Sequence, residues 1–180
     1  MINLAAWNIH GLNVVDKQQE VRSFIRNKNV NICAILESHV RLESLRPTCE
    51  RLFGRWAWVS NQDFCDYGTH IIVAWDSNYA DIMVLEMHGQ FIHCEVCIRG
   101  LQQGFFVSFV YGANRGSERG ALWSGLRKFK AIMGDKPWVV AGDFNSLLFQ
   151  HDALGGISRR NMEMMDFFNC IEDIEVFDIR

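Results

Sequence analysis

No apolar run in the 180-residue sequence approaches the ~20 residues needed to cross a bilayer. Its first residues, MINLAAWNIHGLN, lack the basic segment followed by an apolar stretch that marks a secretory leader. Both absences point to a soluble, intracellular chain, nuclear or cytoplasmic, not secreted and without a membrane partner. An excess of one charge is missing too: 18 Lys and Arg against 21 Asp and Glu leave a formal net of -3, without the basic surplus that accompanies many nucleic-acid binders. A polyanion would therefore have to meet a local patch. The candidates are Arg115 with Arg119, the group Arg127, Lys128 and Lys130, and Arg159 with Arg160; each taken singly reads first as a solvated helix face or loop.

There is no compact cysteine framework. The six cysteines, Cys33, Cys49, Cys65, Cys94, Cys97 and Cys170, are scattered, and several lie inside apolar runs where cysteine behaves as a small core residue. Reduced thiols follow. Cys94 and Cys97 have the spacing of zinc ligands, but in FIHCEVCIRG a strand would turn them to opposite faces, and no second such pair exists, so zinc is discounted. Repeats, low-complexity tracts and linkers are absent as well. What the sequence does have is 49% hydrophobic and 12% aromatic residues, enough to fill the core of one domain over residues 1–180.

Short apolar runs alternate with helical patterns at first. Residues 2–7 read as a buried strand closed by Gly11, Asp16 as the cap of a helix to about residue 29 with Val21, Phe24 and Ile25 on one face, and residues 32–36 as a second buried strand. A helix over residues 41–53 is expected to break or restart at Pro47. The period then shifts towards two, giving strands near residues 55–60, 70–75, 81–87, 91–98 and 105–111. Ser117 is placed to cap a helix with Leu122, Leu126, Phe129 and Met133 as its apolar stripe; residues 137–141 return to strand. A last helix over residues 161–174 is expected to bury Met165, Phe168, Cys170 and Ile171. Buried runs together with alternating ones predict a layered α/β domain.

The segment PWVVAGDFNSLL carries the chemistry. Its apolar run stops at Gly142 and delivers Asp143 and Asn145; two apart on an extended strand, they would share one side while Phe144 turns into the core. A carboxylate beside a neutral amide suits a hydrated divalent cation or a water attacking phosphorus. Three other runs end alike: Asn8 after LAAW, Glu37 after ICAIL, and Tyr111 after FFVSFV. Singly, each reads as a turn residue, a surface charge or an aromatic at the core margin; together they match the tendency of α/β sites to gather beyond strand carboxyl ends.

In this order, WNIHGL, ILES, VYG and GDFN resemble the endonuclease/exonuclease/phosphatase superfamily. More narrowly, AAWNIHGLN, ILESHV, VYGANRGSERGALWSGL, PWVVAGDFNSLL and DALGGISRRNMEMMDFFNCIEDIEVFDI are similar to the endonuclease domain of plant LINE-type, non-LTR retrotransposons, over nearly the whole sequence. The resemblance implies a four-layer α/β sandwich, two packed β-sheets flanked by helices, and phosphodiester or phosphomonoester hydrolysis with Mg²⁺, or with Mn²⁺ as the alternative ion. It places Glu37 at the metal with Asn8 beside it. Asp143 is matched to the aspartate that orients or activates water, Asn145 to the amide that helps place it, and Tyr111 to the phosphate pocket. It also implies DNA as partner, with Arg115 and Arg119 as substrate-binding candidates. His10 stands where some apurinic-site nucleases carry an aspartate, a departure that fits the retrotransposon branch rather than a repair enzyme.

The family pattern goes on to a Thr-Trp-type strand, an aspartate and a Ser-Asp-His segment, none of which occurs before Arg180; none of the six histidines, His151 included, matches that segment's histidine. The expectation is thus a carboxy-terminally truncated sandwich with impaired catalysis, since a general acid/base group is worth about 10² to 10⁴ in rate, and with self-association through exposed sheet edges. The competing functions are a non-catalytic remnant or interaction module, and a phosphatase for a small phosphate ester or phosphoinositide.

Overall fold

The run ICAIL is buried on both faces because it lies in the middle of a sheet that is covered on both sides. The computed structural model describes residues 2–101, 103–148 and 162–178. The chain divides into two compact units, Met1–Tyr111 with Lys136–Asp143, and Gly112–Asp135 with Phe144–Arg180.

The first unit holds two four-stranded sheets. One has the order β1 (Leu4–Asn8), β2 (Ile32–Val40), β4 (Thr69–Trp75), β3 (Ala57–Ser60), with β1 and β2 parallel and the other pairings antiparallel. The second has the order β5 (Ala80–His88), β6 (Phe91–Ile98), β7 (Gly104–Tyr111), β8 (Trp138–Asp143), antiparallel except for the parallel pair β7 and β8. Alternate residues of each strand face alternate layers. Ile32, Ala34 and Leu36 of β2 meet Ile92, Val107 and Phe109 between the sheets, while Cys33 and Ile35 turn to a second core with Val21 and Leu52 of helices α1 (Val15–Asn27) and α2 (Leu42–Phe53). The expected α/β sandwich, two packed sheets with helices, is what the structure has.

Two local expectations in this unit change. Asp16 is not the cap of α1: Val14 takes that position without a side-chain hydrogen bond, and Asp16 sits in the first turn, where its charge favours the positive end of the helix dipole. Helix α2 runs through Pro47 as one element. Pro47 and Glu43, whose carbonyl the proline leaves without its i+4 donor, are both exposed, so water can take that bond while Leu45, Cys49 and Leu52 anchor the inner face.

The second unit contains α3 (Gly120–Met133) and α4 (Met162–Ile174). Leu122, Leu126, Phe129 and Met133 of α3 are buried as their spacing predicted. Ser117 falls in a 3₁₀ turn, and Arg119 precedes the helix in its place. On α4 the buried residues are Met164, Phe167, Cys170 and Ile174, whereas Met165 and Phe168 are 49% and 43% exposed. The pattern MEMMDFFNCI is apolar on two adjoining stripes, and the one chosen stacks Phe167 on Trp123 (5.1 Å between centroids) and brings it to Phe144 (4.8 Å). Residue 161, the expected first residue of this helix, lies outside the described residues.

Candidate active site

Leu4 and Ala6 of β1 point between the sheets, so Asn8, two further on, is aimed the same way from the strand's end. Val139 and Ala141 of β8 do the same from the opposite sheet, and Asp143 follows them. The two side chains meet. Asn8 Oδ1 accepts the His10 backbone N–H (3.1 Å), which fixes the amide orientation, and Nδ2 donates to Asp143 Oδ2 (2.8 Å).

Glu37 enters at an irregularity of β2, where the pairing with β4 shifts register between Leu36 and Val40. It has φ +53, and its neighbours at the site, His39 and His10, each have φ +50. Three non-glycine residues in the left-handed region carry a cost of about 1 to 3 kcal/mol each and cluster where function requires it. Main-chain bonds hold them there: Gly11 N–H donates to Glu37 O (2.7 Å), Leu12 N–H to Ser38 O (2.8 Å), and Lys17 Nζ to the carbonyls of Ile9 (2.6 Å) and His10 (2.7 Å).

The Glu37 carboxylate is flanked by imidazoles, with His10 Nδ1 at 2.9 Å from Oε2 and His39 Nε2 at 3.5 Å from Oε1. Burial pushes this carboxyl up, but hydrogen bonds from Asn8, His10 and His39 and the charge of His10 outweigh it, leaving the group below the usual glutamate range. Asn8 is thus bonded to Asp143 and also lowers the Glu37 carboxyl. Sequence reasoning did not assign His39 or His70 to the site; the signal was ESH directly after ICAIL, with both histidines at strand margins.

Tyr111, 5% exposed, closes β7 opposite Asp143 in register and packs its ring edge-on to His70 (5.5 Å), which in turn meets His39 (6.1 Å). Gly142 is required where it stands: its φ is +153, and a Cβ there would lie 2.0 Å from the Val110 carbonyl oxygen. The close approach of β8 to β7 that carries Asp143 to its position depends on that missing side chain.

Strand β8 ends at Asp143, and Asn145 lies beyond it at φ +49, so strand alternation does not orient its side chain. In the second unit Asn145 Nδ2 donates to Gly112 O (2.7 Å), and its own carbonyl accepts a bond from Arg119. Arg119 is 2% exposed and also reaches Ala113 O (3.4 Å); Arg115 is solvent-facing beside Glu118 (3.7 Å). Arg127 and Lys130 pair with Asp173 (2.6 Å) and Glu175 (3.0 Å). Arg159, Arg160 and His151 lie outside the described residues.

A serine and a histidine also meet elsewhere. Trp138 Nε1–H donates to Ser108 Oγ (2.8 Å), and the same hydroxyl pairs with His93 Nδ1 (2.7 Å). Both are fully buried, which makes this a link within the sheet rather than a reachable nucleophile. Cys94 is buried and Cys97 exposed, as opposite strand faces require. Among the described residues, no group of three or more His, Cys, Asp or Glu side chains is placed to hold a metal ion, and no helix is long and apolar enough to cross a membrane.

A family model described as Endonuclease/Exonuclease/phosphatase family matches residues 5–169. Among solved structures, the endonuclease domain of TRAS1, a telomere-specific non-LTR retrotransposon, is similar at a TM-score of 0.71 and 10% identity, over 97% of this chain and 71% of that one. The AP endonuclease LMAP from Leishmania major is similar at 0.75 and 13% identity, over 96% and 66%. A mannosyl-6-phosphatase from Bacteroides thetaiotaomicron is similar at 0.61 and 14% identity, over 94% and 70%. At these identities the likeness establishes the fold. The chain spans between 60% and 71% of the length of such structures. No curated protein matches the sequence.

Proposed function

The chain belongs to the Endonuclease/Exonuclease/phosphatase family, and on that premise we propose that it is a divalent-metal-dependent DNA endonuclease of retrotransposon type. The observation that carries this reading is the hydrogen bond from Asn8 to Asp143 (2.8 Å), made by an amide that also helps to hold the Glu37 carboxyl below its ordinary range. A shared neutral donor holds two acids at one place without adding charge, the arrangement a phosphate and a water between them require.

The donor set fits a hard cation: one carboxylate held ionised, a neutral amide close to it, and the remaining positions left to water and phosphate. Glu37 would hold the ion with Asn8, Mg²⁺ first and Mn²⁺ as the alternative, and His10 and His39 would turn away from the carboxylate oxygens they now contact. Bound there, the cation supplies Lewis acidity toward a phosphoryl oxygen. Asp143 orients the water and accepts its proton, with Asn8 holding the carboxylate through Oδ2. Tyr111 offers a neutral donor to the phosphate, and the family resemblance adds Asn145 to that role and Arg115 to contact with DNA.

Nicking of supercoiled plasmid in Mg²⁺ and in EDTA tests this, comparing the native sequence with Glu37→Ala and Asp143→Ala. We expect slow, metal-dependent nicking by these 180 residues, lost in both variants. DNA binding without any nicking would favour an interaction module instead. Turnover of a small phosphate ester without nicking would favour a phosphatase. Self-association through sheet edges belongs to the same reading, and sedimentation as a monomer at high concentration would remove it.

A further inference from the structure

Arg22 and Arg26 lie one turn apart on α1, so their side chains rise from the same face of the helix. Neither has an acidic partner among the described residues, and like charges at this spacing repel. With Arg51 from the last turn of α2 they line a cleft of about 460 Å³, floored by Phe53 and Trp56, whose rings stack at 6.4 Å and 13°. Arg51 is held in place: Gln18, 4% exposed, donates to Leu12 O (3.0 Å) and accepts from Arg51 Nη1 (2.9 Å). Glu50, an acid on the wall, faces Arg46 at 3.8 Å. Three arginines thus converge beside an aromatic pair in a protein whose net charge is negative.

The geometry points to a nucleotide-binding site here, separate from the Glu37 and Asp143 centre: arginines on the phosphate and Trp56 against the base. The volume falls within the span of about 300 to 1,000 Å³ usual for small-ligand sites. Guanidinium groups match phosphate oxygens in pairs, and an aromatic platform accepts any base. The occupant is one nucleotide, either free or as a unit of a single strand. This inference does not depend on the hydrolytic reading. Along α1, Arg22 and Arg26 follow Lys17, which braces the Ile9 and His10 carbonyls at the candidate active site; a rise of about 1.5 Å per residue sets them roughly 7.5 and 13.5 Å further down the helix.

The test is fluorescence anisotropy of a fluorescein-labelled single-stranded dT oligomer, in EDTA, titrated at several salt concentrations with the full 180-residue chain. The double variant Arg22→Ala with Arg26→Ala should bind on the order of ten-fold more weakly, and its slope of log affinity against log salt should fall by about 1.4, roughly 0.7 for each lost phosphate contact on a single strand. Trp56→Leu should weaken binding on the order of ten-fold and leave the slope unchanged, because stacking releases no counterions. Arg99→Ala, which removes an exposed arginine outside the cleft, should bind like the native chain. Competition by thymidine monophosphate would assign the free nucleotide, and its absence the strand; either upholds the site. The double arginine variant should melt no lower than the native chain, since it removes repulsion from an exposed face, and Arg22→Gln with Arg26→Gln repeats the test if it does not. Native affinity and slope in the double variant, or an equal loss in Arg99→Ala, would overturn the inference.

Discussion

Asn8 and Asp143 lie 135 residues apart in the chain and 2.8 Å apart in the fold, amide nitrogen to carboxylate oxygen. Each is the last residue of an edge strand, one in each sheet, and both continue the row that faces the space between the sheets. Replacing Asn8 by Asp sets a third carboxylate against Asp143 and Glu37, while Asn8→Ala only removes the donor. Thermal melts at about pH 7 should rank native above Ala above Asp, and the Asp variant should recover towards the Ala variant when acid protonates the cluster. An Asp variant as stable as native at neutral pH would show that the three groups do not share one environment.

Glu37 ties the site to acid stability. Its folded pKa lies below the ordinary value of 4.5, so in the window between the two the folded state binds fewer protons than the unfolded chain. The contribution is complete above the unfolded value and drains away as pH falls through the folded one. Melting temperatures of native and Glu37→Gln should differ most above the ordinary carboxyl range and converge as pH falls below it. A gap that widens on acidification would contradict the sign.

His10 is strained and mostly solvated: φ is +50 and its side chain is 72% exposed. An exposed ion pair adds little to stability, while release of a left-handed residue by glycine returns about 1 kcal/mol or more. His10→Gly should melt about 2 to 4 °C higher. Scanning calorimetry showing a clear decrease would mean that the Glu37 contact outweighs the strain.

Gly142 tolerates no side chain, since its Cβ would stand 2.0 Å from the Val110 carbonyl. Gly142→Ala must part β7 from β8 and should lose well over 2 kcal/mol, visible as a melt more than about 5 °C lower or as insoluble expression. Gly120→Ala, at a position with open space around the missing Cβ, is the control and should melt within about a degree or two of native.

The thiols sort by burial. Cys33, Cys49 and Cys94 are pushed up to about 12 and Cys170 to about 11 by desolvation, whereas Cys97 is exposed. At about pH 8, Ellman titration should find one fast thiol, abolished by Cys97→Ser, with those four reacting only after denaturation. Because their folded values are raised, the stability they lend is full below the unfolded thiol range and is lost as pH climbs towards the folded values.

Much of this protein is written locally. Apolar runs such as ICAIL and the stripe from Leu122 to Met133 state where strands and helices form, because burial of a row of side chains depends on periodicity along one segment. The polar ends of four such runs, Asn8, Glu37, Tyr111 and Asp143, were legible for the same reason. Local chemistry did not state which apolar stripe of α4 would be buried, because Met164 with Phe167 and Met165 with Phe168 are equivalent until Trp123 supplies a stacking partner. Nor did it state that His39 would turn back on Glu37, or that Arg51 would join Arg22 and Arg26, since these depend on a register shift in β2 and on the packing of two helices against one sheet. Sequence alone determined which elements form and which polar residues end them. The tertiary structure alone decided which of those residues touch, because facing sheets bring together groups that no period along the chain relates.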